Sequence, residues 1–326
     1  MYTLKNNKYN GLRLIDIIKL LPILLITILI FGCSHSKKNN DHSSWSKENR
    51  IASSGKYRTV KMADIDNDGN IDIIGGGTSP STVAIWYGIG TGEMTEPVFL
   101  PIKGDVQSVD IGDFNEDGLK DIIFSVKKEL AGIKYWINKP GRKWEEANGP
   151  INTNKYQGIR SADIDNDGHL DIVAANSTSE NHSGIQIWLG NGNGDWVVES
   201  GPTINGIYMD IDLSDLNNDG IIDIVGSGWG VTGGLRVWLG TGSGGWSTVP
   251  TIIEGSFYGL NIDDIDGDGN KDILVGSYRD GAHYFSGDGK GNFIKKMSFE
   301  DNLSFWTVLP VDLDGDGLKD IIASSV

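Results

Sequence analysis

The sequence predicts an all-β fold, a β-propeller of about six four-stranded blades, or seven if a further tail completes another. Three observations carry that expectation. A nine-residue acidic pattern recurs six times, beginning at Asp64, Asp113, Asp163, Asp215, Asp264 and Asp312, at intervals of 48 to 52 residues. Around each copy the same short extended apolar segments return with no helical periodicity. Glycine makes up 45 of 326 residues, about twice its usual share of roughly 7%, and it falls between those segments, where tight turns need it. Four short strands per unit, repeated radially, leave only short and protected strand edges.

In chain order, residues 1–32 read as a lipoprotein-type signal peptide. Lys5, Lys8, Arg13 and Lys19 precede an apolar run from Leu20 to Phe31 that ends in Gly32-Cys33. That run is shorter than the roughly 20 residues a spanning helix needs. An uncleaved anchor is the alternative, and either reading places the chain outside the cytoplasm and tethered to a membrane. Residues 33–43 are polar and aperiodic, a flexible tether. Residues 44–326 form the repeat region. Trp45 to Ile51 aligns with a fourth strand and would close the last blade. Each repeat then carries a first segment (Tyr57 to Ala63, Phe257 to Asp263), the acidic motif, and a second segment (Ile71 to Ile74, Ile222 to Val225). A third follows (Val83 to Tyr87, Ile133 to Ile137, Ile185 to Leu189, Leu235 to Leu239, Ala282 to Phe285), then a glycine-rich turn and a fourth opened by Trp144, Trp196, Trp246 or Phe293. The chain stops at Val326, after the second segment of the sixth repeat. Either the closing blade has three strands or the natural C-terminus lies further on, and unpaired backbone at the seam favours the latter.

The six motifs read DIDNDGNID, DFNEDGLKD, DIDNDGHLD, DLNNDGIID, DIDGDGNKD and DLDGDGLKD. Positions one, three and five are carboxylate or amide, position six is glycine and position nine aspartate. Calcium takes six to eight oxygens at about 2.3–2.6 Å, and acidic groups at alternate positions of a tight loop converge on one point. Position seven would add its carbonyl. The predicted ligands are therefore Asp64, Asp66, Asp68, Asn70 and Asp72; Asp113, Asn115, Asp117, Leu119 and Asp121; Asp163, Asp165, Asp167, His169 and Asp171. They continue with Asp215, Asn217, Asp219, Ile221 and Asp223; Asp264, Asp266, Asp268, Asn270 and Asp272; and Asp312, Asp314, Asp316, Leu318 and Asp320. Up to six structural calcium ions follow, weaker at the second and fourth copies, where Asn115 and Asn217 remove a charge. Magnesium fits less well, because it prefers to keep its waters.

These loops, D-x-[DN]-x-D-G-x-x-D before an apolar run and followed by turns such as Leu189-Gly190-Asn191-Gly192-Asn193-Gly194, resemble the FG-GAP/VCBS repeat family. The resemblance spans residues 44–326. It implies an integrin-α-like calcium-bearing propeller whose metal loops join the first and second strands of each blade, opposite the usual ligand surface. Ile30-Phe31-Gly32-Cys33 likewise resembles a bacterial lipoprotein signal, with Cys33 lipidated.

Acidity excludes nucleic acid as a partner, since phosphate binding needs a basic face. The formal charge is −16, yet of the 43 acids and 24 bases beyond residue 32, 22 acids sit at motif positions. The remainder is nearly neutral, so the acidity specifies a cofactor rather than a partner. One cysteine cannot form an internal disulfide or a cysteine-based zinc site. Catalytic signals are weak. The histidines do not cluster, no G-x-S-x-G is present, and Gly240 to Gly245 mimics a dinucleotide fingerprint only as a hairpin turn with no helix after it. Eight tryptophans fill repeat-equivalent slots and are expected to pack between blades. Trp229, with Tyr278 and Arg279, falls in variable loops between second and third strands. Tyr57, Tyr156, Tyr208, Tyr258 and Trp306 are expected just before first strands, near the channel mouth. Aromatic platforms there suit a sugar ring or a peptide, so the sequence points to a binding or adhesion module for carbohydrate or a surface protein. The alternatives are the propeller of a polysaccharide lyase or hydrolase, for which Tyr278, Arg279 and His283 are the nearest cluster, or a subunit of a surface assembly.

Overall fold

The computed structural model describes residues 7–9, 12–16 and 55–325, apart from 80, 91, 129–130, 151–153, 179–183, 231–232, 243, 251, 300–302, 314 and 316. Cys33, the tether and the Trp45 to Ile51 segment lie outside the described residues. The chain divides into two compact units, Leu24–Thr153 and Met1–Ile23 with Asn154–Val326. Among the described residues every regular element is a strand, and no helix is long and apolar enough to cross a membrane.

Two short strands open the chain, β1 (Asn7–Tyr9) and β2 (Leu12–Asp16). The unit Leu24–Thr153 holds two sheets, the first of β3 (Lys56–Ala63), β4 (Asp72–Ser79), β5 (Ser81–Trp86) and β6 (Val98–Pro101). Its second has β7 (Asp105–Gly112), β8 (Asp121–Lys127), β9 (Gly132–Lys139) and β10 (Lys143–Ala147). The other unit holds four sheets. These are β11 (Tyr156–Ala162) to β14 (Trp196–Ser200), with β12 (Asp171–Asn176) and β13 (Gly184–Gly190) between, and β15 (Ile207–Ser214) to β18 (Trp246–Thr248), with β16 (Asp223–Trp229) and β17 (Gly234–Gly240) between. The next runs from β19 (Phe257–Asp263) through β20 (Asp272–Ser277) and β21 (Ala282–Gly287) to β22 (Phe293–Phe299). The last pairs β23 (Phe305–Val311) with β24 (Asp320–Ser325), and β2 runs parallel beside β24, Arg13 opposite Asp320. Five sheets are thus antiparallel meanders in chain order, one per repeat, and the sixth is completed from residues read as leader.

The strand gradient follows from the sequence. Second strands such as Asp171-Ile172-Val173-Ala174-Ala175-Asn176 are buried throughout, because both faces are covered, whereas fourth strands such as β14 are largely exposed. Apolar cores lie between consecutive sheets. In the unit Leu24–Thr153, Ile74, Val83 and Ile85 meet Val106, Val109 and Phe124. In the other, Val173, Ile185 and Ile187 meet Tyr208, Ile211 and Ile224, and the pattern continues to Phe305 and Ile321.

Three sequence expectations need correction. The tyrosines expected before the first strands lie inside them. Tyr57, Tyr156 and Tyr208 are buried and pack edge to face on Trp86, Trp188 and Trp238 at ring centroids of 5.2, 5.5 and 5.5 Å, so they belong to the core. Tyr258 and Trp306 are not their equivalents. Phe257 and Phe305 occupy the tyrosine position, and Tyr258 and Trp306 stand one residue later, at a register shift that recurs in every first strand. A bulge interrupts the strand's side-chain period of two and re-aims the extra residue, so positions one step apart are not equivalent. Trp229, expected in a loop, is the last residue of β16 and pairs with Ile207.

Candidate functional site

Each acidic motif forms the connection between the first and second strands of its sheet. Two left-handed residues wind it. Position four is Asn67, Glu116, Asn166, Asn218, Gly267 and Gly315, at φ between 55° and 77°, and position six is the glycine, at φ between 82° and 94°. A Cβ on those position-six glycines would meet nothing within 4 Å. Glycine is therefore there for its φ and not for space. The position-one aspartate anchors the turn. Its Oδ2 accepts the glycine N–H at 2.8–3.0 Å in all six copies.

Position nine has a second role that the sequence reading missed. The carboxylate is the first residue of each second strand and is buried. Its Oδ2 accepts the N–H of position two, as from Ile65 at 2.9 Å, Ile164 at 2.7 Å and Leu216 at 2.8 Å. Its Oδ1 accepts the N–H at the end of the third strand: Gly88, Asn138, Gly190, Gly240 and Gly287. The motif loop is stapled to the neighbouring hairpin through one side chain. At Gly190 a Cβ would stand 2.3 Å from the Leu170 carbonyl oxygen, and at Gly287 2.1 Å from that of Lys271. Asn138 takes this place in the second repeat, and its Nδ2 donates to the equivalent carbonyl, Lys120, and to Ile65. Burial pushes these carboxyls up, to about 6 for Asp121, Asp171 and Asp223, and nearby motif acids raise them further while the backbone N–H bonds oppose the shift.

Three loops bring carboxylate oxygens of positions one, three and nine within 4.8 Å of one another: Asp64, Asp66 and Asp72; Asp163, Asp165 and Asp171; Asp264, Asp266 and Asp272. These donor sets fit a hard cation, being all oxygen, convergent and half-exposed at positions one and three except for the more exposed Asp266. The second and fourth loops differ in kind. Asn115 Nδ2 donates to Asp117 Oδ2 at 3.2 Å and Asn217 Nδ2 to Asp219 Oδ2 at 2.9 Å, so the amide hydrogens lie where a cation would otherwise draw the two groups together. In the first loop Arg142 reaches Asp66 at 2.7 Å and Asp68 at 3.3 Å while lying over the Tyr87 ring. In the sixth loop Asp312 accepts the Gly317 N–H and Asp320 the Leu313 N–H, as at the equivalent positions of the other loops, and Asp314 and Asp316 fall outside the described residues. The N–H groups of Asn70, Leu119, His169, Ile221 and Asn270 are held by the position-five carboxylates Asp68, Asp117, Asp167, Asp219 and Asp268. Leu318 is exposed.

Of the predicted ligand residues, the structure brings five together in the unit that contains residues 154–326. Trp229 stands 5.5 Å from Tyr258 and 4.9 Å from Tyr278, Tyr258 stacks on Trp306 at 4.3 Å and 12°, and the Arg279 guanidinium lies 5.0 Å over Tyr278. Tyr258 is buried beneath the half-buried Trp229, Tyr278 and Trp306, and Arg279 is exposed. His283 does not join them. It is buried against Phe257, with Nδ1 3.1 Å from Ser298 Oγ.

A model of the FG-GAP-like repeat matches residues 64–124, 163–226 and 264–323, each match spanning two acidic motifs. No curated protein matches the sequence significantly. Among solved structures, BBS1N in complex with ARL6DN, soaked with lead, is similar at 14% identity and TM-score 0.55, covering 82% of this chain and 76% of that one. The mercury-soaked form of the same complex is similar at 12% identity and TM-score 0.56, over 84% and 77%. The V. cholerae biofilm matrix protein Bap1 is similar at 15% identity and TM-score 0.44, over 74% of this chain and 38% of that one. At these identities the likeness to BBS1N is one of fold.

Proposed function

Since the chain belongs to the FG-GAP-like repeat family, with matched segments over more than half its length, we propose that it is a calcium-stabilised β-propeller that acts outside the cytoplasm as a binding module for carbohydrate or a surface protein. The recurrent loop carries this reading. Three copies converge three carboxylates each, on connections that also staple neighbouring strands. Calcium there supplies charge neutralisation. The protein groups that would hold it are the position-one, -three and -nine carboxylates, with position five and the position-seven carbonyl beside them. A loop that fills its own shell holds structure and leaves no open position for substrate. The remainder of the surface is then free to carry a ligand on a rigid frame. Residues 1–32 would direct export and Cys33 would carry the lipid; removal of that leader frees the edge of β24 that β2 covers, for which the segment Trp45 to Ile51 is suited.

Calorimetric titration of the metal-stripped chain with calcium tests the reading. It is expected to show at least two tight sites, at the third and fifth loops, with weaker heats from the rest and little response to magnesium. No calcium heat at all would refute it. For the anchor, Cys33→Ser is expected to move the protein from the membrane fraction to the soluble one on expression in a bacterial host.

A further inference from the structure

We infer that the aromatic cluster on the sheets of β15–β18, β19–β22 and β23–β24 binds an acidic polysaccharide, its sugar rings stacking on the half-exposed tryptophans Trp229 and Trp306 and a carboxylate on Arg279. This deepens the binding-module reading and rests on it. The rings are not demanded by the fold. Counting from the motif, the positions of Tyr258 and Trp306 hold Arg58, Gln107, Gln157 and Met209 in the other repeats, and those of Trp229 and Tyr278 hold Thr78, Lys127 and Ser177. The first-strand bulge accepts arginine, glutamine, methionine, tyrosine and tryptophan alike, and the ends of the second strands vary as freely, so aromatic residues at four of these places on neighbouring sheets are a local addition to a repeated frame.

Geometry selects the ligand class. Tyr258 contacts the other three rings at centroid distances of 4.3–5.9 Å, and Trp229 lies 4.9 Å from Tyr278. The four rings fill the space between themselves, which leaves no cage for a quaternary ammonium group and only outward faces to offer. A half-exposed indole face backed by a stacked ring suits the flat C–H face of a pyranose. Arg279 adds the charge. Arg58, Arg142, Arg160 and Arg236 each donate a hydrogen bond to a protein oxygen, while Arg279 makes none among the described residues and rests on Tyr278. In a chain of charge −16 an uncommitted guanidinium is unusual, and its planar fork matches a carboxylate.

The test is a tryptophan-fluorescence and calorimetric titration of the calcium-loaded full chain with oligomers of galacturonate, glucuronate, mannuronate and guluronate, and with their carboxyl-reduced counterparts. At least one uronate oligomer is expected to bind and its reduced form to bind about tenfold more weakly, the loss of one charge-assisted pair. Arg279→Gln should remove that preference and leave the neutral oligomer unaffected. Trp306→Ala should abolish binding and Trp306→Phe retain it, which separates loss of stacking from loss of fold. Failure of every uronate oligomer to bind, equal binding of acid and reduced forms, or an unchanged preference in Arg279→Gln would overturn the inference. None of these outcomes touches the calcium titration, which tests the underlying reading separately.

Discussion

Removal of the third loop's carboxylates one at a time separates the two roles of the motif. Asp171 is fully buried and accepts two backbone N–H groups, from Ile164 at 2.7 Å and Gly190 at 2.8 Å. Asp171→Ala strands both donors, at about 1–3 kcal/mol each. Some desolvation of a carboxyl already pushed up to about 6 is recovered, so the net cost should fall near 2–4 kcal/mol without any metal. Asp163 accepts from Asp167 and Gly168 on the exposed loop, where water can replace it, and Asp163→Ala should cost about 1 kcal/mol or less in chelator. Calcium raises the cost of both variants, since both carboxylates converge on the candidate site, and for Asp163 it supplies most of that cost. At a hundredfold excess over the dissociation constant, binding adds about 2.7 kcal/mol to the wild type, which the variant loses. Urea unfolding followed by tryptophan fluorescence, in chelator and in calcium, reads both shifts. Equal costs for the two variants in chelator would refute the staple assigned to Asp171, and an Asp163→Ala cost unmoved by calcium would refute the metal-binding role assigned to Asp163.

Asn217→Asp exchanges the 2.9 Å amide bond to Asp219 for a third carboxylate; it should cost about 1 kcal/mol in chelator and raise calcium affinity at the fourth loop about tenfold, as read by urea unfolding and calorimetry. Burial, with Lys295 adding to it and Asp280 opposing, pushes His283 down to about 4. As pH falls from 6.5 to 4 the unfolded chain gains a proton that the folded chain refuses, so stability present at neutral pH is lost by up to about 3 kcal/mol. His283→Gln should remove that part of the pH dependence of urea unfolding. Tyr156→Ala, which empties the edge-to-face contact on Trp188, should cost about 3–5 kcal/mol in the same measurement; a cost below about 1 kcal/mol would mean that the ring is not core.

Much of this was legible in the residues. A period near 50 and a strand pattern of four per period located the sheets to within a few positions, because the acidic motif fixes where each first strand ends and each second begins. The motif's convergence on a point was legible too, since alternate carboxylates around a glycine have little other use. Two features were hidden. Position nine appears in the sequence only as another acid, and nothing local reveals that its oxygens bond backbone from the third strand, 15 to 19 residues later. The bulge in each first strand is silent in composition, so Tyr57 and Tyr258 looked alike although they stand one position apart in their repeats. Counting from the motif would have shown that Tyr57, Tyr156, Tyr208, Phe257 and Phe305 are one set and Tyr258 and Trp306 another. The asparagines at position four were the missed signal for the left-handed turn.

The central claim is that calcium holds the repeated loops in place and thereby the fold. Thermal unfolding of the full chain with calcium, after chelation, and after calcium is restored tests it most directly. The account predicts a melting temperature lower by many degrees in chelator and recovered by calcium but not by magnesium. Identical melting in all three would contradict it.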